Sequence, residues 1–180
     1  LDMLPPEGIA LTVHLNLIEG RCLAPKEALP LLVDDRGVFR VSFSSLLFSR
    51  FTGKYREYRR EIKMELSAQI RALRSVIEGR GEALRLDGHA HWHMLPVVFD
   101  ALMDVIAEEE LPVAYIRIPR EPIGLFLRHF PAILPFHPIN IVKSLLLNLL
   151  AGRTLRRYGA YLDTLEKKLF LGVLFSGCFD

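Results

Sequence analysis

Apolar and polar positions set the first element. From Gly8 to Leu17 the chain is rich in β-forming residues, and from Leu11 it alternates, with Leu11, Val13, Leu15 and Leu17 on one face and Thr12, His14 and Asn16 on the other. That spacing predicts a strand with a polar or wet side. Between Gly20 and Ser49, Pro25, Pro30, Asp34, Asp35 and Gly37 interrupt scattered aromatics, which predicts an ordered loop with short helical pieces. Tyr55, Tyr58, Ile62, Leu66, Ile70, Leu73 and Ile77 then step by three or four, the spacing of a helix with one apolar stripe, ended by Gly79 and Gly81. Lys54, Arg56, Arg59, Arg60 and Lys63 interleave with Glu57, Glu61 and Glu65 on that helix and read as a solvated, charge-paired face.

Downstream, Ala83 to Met94 reads as a second strand, Leu95 to Glu110 as a helix opened by Pro96, and Pro112 to Ile118 as a third strand with Val113, Tyr115 and Arg117 facing together. Strand, helix, strand is a βαβ unit, and parallel neighbours need such crossovers. The fold class is therefore α/β, an incomplete or distorted (β/α) barrel with mostly parallel strands. Pro119 to Pro138 reads as a proline-rich loop at the end of the third strand, where substrate loops of such folds sit. Asn140 to Ala151 suggests a buried helix, Tyr158 to Lys168 a weaker one, and Leu169 to Phe175 a fourth strand.

Composition narrows the function classes. At 180 residues, 51% hydrophobic and 24% charged, the chain suits a single domain, 1–180, with one core. Lys plus Arg at 23 against Asp plus Glu at 21 is too balanced for a chain that lives by gripping nucleic acid, so no nucleic-acid partner is expected. Cys22 and Cys178 are too few for a disulfide scaffold and lack the spacing of a zinc ribbon or redox pair. No apolar run approaches the roughly 20 residues of a membrane span, and no secretory signal is evident. A cytoplasmic location fits, and a homodimer is compatible with the sequence.

Half of the six histidines fall in L-D-G-H-A-H-W-H-M. If the second strand continues through them, period-two geometry sends Asp87, His89, His91 and His93 to one side and Leu86, Gly88, Ala90, Trp92 and Met94 to the other. So many imidazoles are costly in a dry core unless hydrogen-bonded or holding a metal. An aspartate beside several histidines suits Mg²⁺, Mn²⁺ or Zn²⁺ in an open catalytic site. His14, on the polar side of an otherwise apolar strand, is the candidate ligand from elsewhere. His129 and His137 read as loop histidines, and Arg117 as either a substrate clamp or the partner of Glu121.

The pieces V-H-L-N-L-I-E-G at Val13 to Gly20, E-I-K-M-E-L-S-A-Q-I at Glu61 to Ile70, L-D-G-H-A-H-W-H-M-L-P at Leu86 to Pro96 and R-I-P-R-E-P at Arg117 to Pro122, in this order, resemble the YdjC-like family of carbohydrate deacetylases. The resemblance implies a distorted (β/α) barrel binding a divalent ion, Mg²⁺ ahead of Zn²⁺, that removes acetyl groups from N-acetylated sugars such as chitooligosaccharides or related glycoconjugates. It places His14 and His89 as metal ligands and Asp87, His91 and His93 at the motif's remaining polar, catalytic positions. It also implies a strand ending in paired aspartates ahead of Leu1 and a further strand motif beyond residue 180, so that these residues read as a portion of a barrel of about 250 residues. Two other readings remain: an H-x-H amidohydrolase or phosphoesterase with His89 and His91 as paired ligands on one strand, and an inactive sugar-binding homologue.

Overall fold

A computed structural model describes residues 10–79, 81–121 and 138–168. The expected fourth strand at 169–175, the proline-rich loop over 122–137, and with them His129 and His137, lie outside these residues. The chain divides into two compact units, Leu1–Ile116 and Arg117–Asp180.

The first unit is built on a parallel sheet of three strands in the order β1-β2-β3, where β1 is Val13–Leu15, β2 Leu84–Gly88 and β3 Val113–Ile116. The α/β expectation holds at this level. β1 buries Val13 and Leu15 and exposes His14, as the alternation requires. It is shorter than the pattern because Asn16 turns its side chain onto its own backbone: Oδ1 accepts from Ile18 N at 2.9 Å, and Nδ2 donates to the Glu19 carbonyl at 2.8 Å.

The segment after β1 carries a 3₁₀ turn at Lys26–Ala28, two isolated antiparallel bridges (Arg21 with Val38, Val33 with Phe39) and a short helix α1, Phe43–Leu47. Ser42 caps α1, its hydroxyl accepting from Ser45 N at 3.1 Å. Helix α2, Tyr55–Glu78, follows the expected stripe: Tyr58, Ile62, Leu66, Ile70 and Ile77 are buried. Leu73 departs from it and is 40% exposed.

The charge reading of α2 needs correction. Glu61 and Glu65 do not belong to a solvated face; both are buried. The Glu65 carboxylate accepts from the amides of Leu23 and Ala24, at 3.1 and 2.9 Å, and Glu61 accepts from Leu31 N at 2.9 Å. A loop with few ladder partners has amides to satisfy, and the helix supplies the acceptors. Arg59 and Lys63, for their part, reach across to helix α3, Pro96–Glu108, where they meet Asp104 and Glu108.

Helix α3 links β2 to β3 and is the most enclosed helix of the first unit, with Val97, Val98, Phe99, Ala101, Leu102, Val105 and Ile106 buried. Pro96 stands at its first turn, where a missing N–H costs nothing. Parallel pairing of β2 with both neighbours is possible because α2 and α3 make the long returns.

The second unit contains α4, Pro138–Leu162, one continuous helix where the sequence suggested two. Nor is its first half simply buried: Ile139, Val142, Leu145 and Leu149 are each more than half exposed. Its inward side carries Asn140, Ser144, Leu150, Ala151 and Thr154. Buried Glu121 is fastened to the helix through Ser144 Oγ at 2.9 Å and by two backbone bonds to the Asn148 amide group. Among the described residues no helix is long and apolar enough to cross a membrane.

Candidate functional site

β1 and β2 pair so that His14 stands directly beside Asp87. In a parallel pair, register neighbours project to the same face, so the two side chains meet by construction. Their contact is short, His14 Nδ1 to Asp87 Oδ1 at 2.6 Å, and joins an exposed ring to a carboxylate that is almost wholly buried.

The second strand stops at Gly88, which overturns the expected alternation through His93. His89–Met94 instead forms a tight 3₁₀ turn interrupted at Ala90 and His91, whose φ values of 45° and 62° lie in the left-handed region. Backbone leaving the β region ends period-two geometry, so Asp87, His89, His91 and His93 do not line one face of a strand. The reversal brings His93 back over Gly88: a Cβ on that glycine would come within 2.6 Å of His93 Nδ1 and 2.9 Å of its Cβ. Gly88 is therefore needed for room, since its own φ of −144° suits any residue. His93 is buried, His91 half-buried with its ring 6.3 Å from that of His93, and Trp92 packs edge-to-face on Phe43.

The same turn swings His89 over β1. Its Nδ1 comes to 3.3 Å from His14 Nε2, with the rings nearly perpendicular, and its Nε2 faces the Glu19 carboxylate at 3.8 Å. The order is a chain across two strands: Asp87, His14, His89, Glu19. Glu19 escaped the sequence reading because it lies in a loop and shares no periodicity with the histidines. The available signal was its place five residues after His14, in the stretch that must turn back from the strand.

Of the predicted residues, then, the structure gathers His14, Asp87 and His89. His91 and His93 sit on the adjoining turn. Arg117 lies past the division at Ile116 and is described with the second unit.

No group of three or more histidine, cysteine, aspartate or glutamate side chains suited to a metal ion occurs among the described residues. Two imidazole nitrogens do converge, and their spacing fits a shared cation. Bonds of about 2.0 to 2.1 Å meeting near the tetrahedral angle hold two ligand nitrogens roughly 3.3 Å apart. The 3.3 Å between His14 Nε2 and His89 Nδ1 matches this. Asp87 meets the other ring nitrogen of His14, the contact through which an outer carboxylate would orient that ring if it held a metal.

A family model described as YdjC-like protein matches residues 2–167. No curated protein and no solved structure matches the chain.

Proposed function

The chain belongs to the YdjC-like family, of carbohydrate deacetylase type, and from that premise we propose that it is a metal-dependent hydrolase removing acetyl groups from N-acetylated sugars, of chitooligosaccharide type or a related glycoconjugate. One observation carries the reading: His14 Nε2 and His89 Nδ1, from segments 75 residues apart, point at each other across 3.3 Å. The three parallel strands are, on this reading, part of a (β/α) barrel whose site gathers at the carboxyl ends of β1 and β2.

His14 and His89 would hold a divalent ion, Mg²⁺ or Zn²⁺, which when bound supplies a Lewis acid for the acetamide carbonyl and a more acidic water. Asp87 keeps the proton of His14 on Nδ1, leaving the Nε2 lone pair free for that purpose. His91, more accessible than His93, stands on the turn next to His89 and protonates the departing amine. An amine expelled as an anion is prohibitively poor, and acid catalysis typically contributes about 10² to 10⁴-fold. His93, buried against Gly88, holds the turn that presents its neighbours.

The H-x-H alternative needs His89 and His91 as paired ligands on one strand, and both lie beyond the end of β2. Incubation of the chain with N-acetylglucosamine oligomers and Mg²⁺ or Zn²⁺ tests the proposal. Acetate release is expected. Phosphate release from phosphoesters without acetate release favours the alternative, and sugar binding with neither product favours an inactive homologue. His89→Ala should abolish metal uptake; unchanged affinity in calorimetry would remove the ligand assignment.

A further inference from the structure

We propose that the turn between α1 and α2 is a docking surface for an anionic lipid bilayer, with Phe48 and Phe51 entering the headgroup layer and the cations at the start of α2 meeting lipid phosphates. The inference goes beyond the deacetylase reading and needs neither a metal nor a sugar in the site. Phe51 is 86% exposed and Phe48 53%, and their ring centroids lie 6.4 Å apart, so the two make one apolar patch. The backbone beneath the patch is fastened. Buried Ser49 donates from Oγ to the Leu46 carbonyl at 2.8 Å, and Thr52 Oγ1 donates to the Ser49 carbonyl at 3.1 Å. Arg50 lies over the Tyr55 ring, 4.8 Å from its centroid, and comes to 3.6 Å from the buried carboxylate of Asp100, which also bonds the Tyr55 hydroxyl. Gly53, with φ +72°, then sends the chain into α2 in a conformation that a side chain would strain. Phe51 thus stands out in water from an anchored turn, and burial of its ring at an apolar boundary is favourable.

Charge selects the kind of surface. In the sequence, interleaved glutamates balance the cations of α2, but the structure removes that balance: Glu61 is buried against the loop, and Arg59 and Lys63 are taken by Asp104 and Glu108. Arg50, Lys54, Arg56 and Arg60 remain exposed, with Glu57 the one exposed carboxylate between residues 48 and 60. Lys54 to Arg60 spans about 9 Å of helix, directly after the two rings. Aromatic tips set among lysine and arginine suit a layer that carries negative charge over an apolar interior. A second copy of this chain would bring like charges face to face, and a neutral sugar would leave them unanswered. Because β1 and β2 are parallel, α2 starts at the end where β1 stops and His89 turns over it. Tyr55 Oη is 3.3 Å from the Pro96 carbonyl oxygen, just after the histidine turn, and Phe43 of α1 packs on Trp92 within that turn. Docking through Phe48 and Phe51 therefore holds the histidine end of the sheet toward the bilayer.

Cosedimentation of the whole chain with vesicles of phosphatidylglycerol and phosphatidylcholine in equal parts tests the proposal. The parent should bind them, should bind phosphatidylcholine vesicles at least about 10-fold more weakly, and should lose affinity as salt rises from about 0.05 to 0.5 M. Phe48→Ser with Phe51→Ser should lower the partition into mixed vesicles at least about 10-fold, and Arg56→Gln with Arg60→Gln about 10 to 30-fold. These side chains are exposed, so the urea midpoint should stay at the parent's value; where one pair lowers it, the other pair decides. Leu145→Ser, on the exposed stripe of α4, should bind as the parent does. Absence of binding to mixed vesicles overturns the proposal. So does a folded phenylalanine variant that binds like the parent, which would mark charge alone, or an equal loss in Leu145→Ser. A lipid-free dimer that the phenylalanine substitutions dissociate would give the patch to a second copy and overturn it likewise. Acetate release from soluble oligomers is a separate measurement, and neither result alters the vesicle outcome.

Discussion

At the scale of single residues, Gly88 and Glu61 show how much chemistry a small positional choice carries. Gly88 leaves the space that His93 fills, and the nearest intruding atoms include His93 Cβ, which cannot swing away as a ring tip could. Gly88→Ala should therefore cost about 1 to 3 kcal/mol, read as a lower urea midpoint with an unchanged slope, and should disturb the His89–Met94 turn. A wild-type midpoint would mean that the turn adjusts freely. Glu61 reports on burial. Removal from water pushes its carboxyl above the ordinary range, against the opposing pull of the Leu31 amide and Arg60. The folded state then binds the proton more tightly than the unfolded chain, so its contribution to stability falls as pH rises above the unfolded value of about 4.5. Glu61→Gln should flatten that part of the stability profile between pH 4 and 7; a profile identical to the parent's would show that Glu61 titrates normally.

Elements are joined here by charge as well as by apolar surface. Along the line where α2 meets α3, Arg59 grips Asp104 through two bonds of 2.6 Å, Lys63 meets Glu108 at 2.8 Å, and Arg71 with Ser67 holds Glu109. Tyr55 adds a bond to the buried carboxylate of Asp100. Partial exposure keeps such pairs weak, and the bidentate Arg59–Asp104 pair is the strongest candidate. A double-mutant cycle on Arg59→Ala and Asp104→Ala should return a coupling of about 0.5 to 1 kcal/mol that shrinks in 1 M salt; zero coupling would reduce the pair to decoration. Burial raises the Glu109 carboxyl, but Ser67 and Arg71 together outweigh it and hold it below the ordinary value. The sign is opposite to that of Glu61: stability from Glu109 is present above about pH 4.5 and is lost as pH falls through its lowered folded value.

For the molecule as a whole, the proposed cation links β1 to the turn after β2, adding to the three-residue ladder and the His14–Asp87 contact that join the two strands. A ligand that binds the folded state alone stabilises it by about 2.7 kcal/mol at a hundred times its Kd. For a chain of this size that is a rise of roughly 5 to 10 °C in Tm. The parent should show the rise with the ion it binds, and His14→Ala should lose it; a rise that survives His14→Ala would place the ion elsewhere.

The local pattern by itself determined the helices α2 and α3, the strands around His14, Asp87 and Tyr115, and the candidacy of His14 and His89, because amphipathic spacing and turn residues act within a few positions of one another. Tertiary structure decided the rest. Alternation through D-G-H-A-H-W-H broke at Gly88 because the chain there folds back on itself, and no period in the sequence encodes that reversal. Glu61 and Glu65 looked like surface partners for neighbouring cations until the loop over 20–33 was seen to need their oxygens. Glu19 came beside His89 only through the combined placement of two strands and two turns. Helix and strand follow from near neighbours; a site follows from which distant segments share a register, and that is settled by packing and by the demand of buried polar groups for partners.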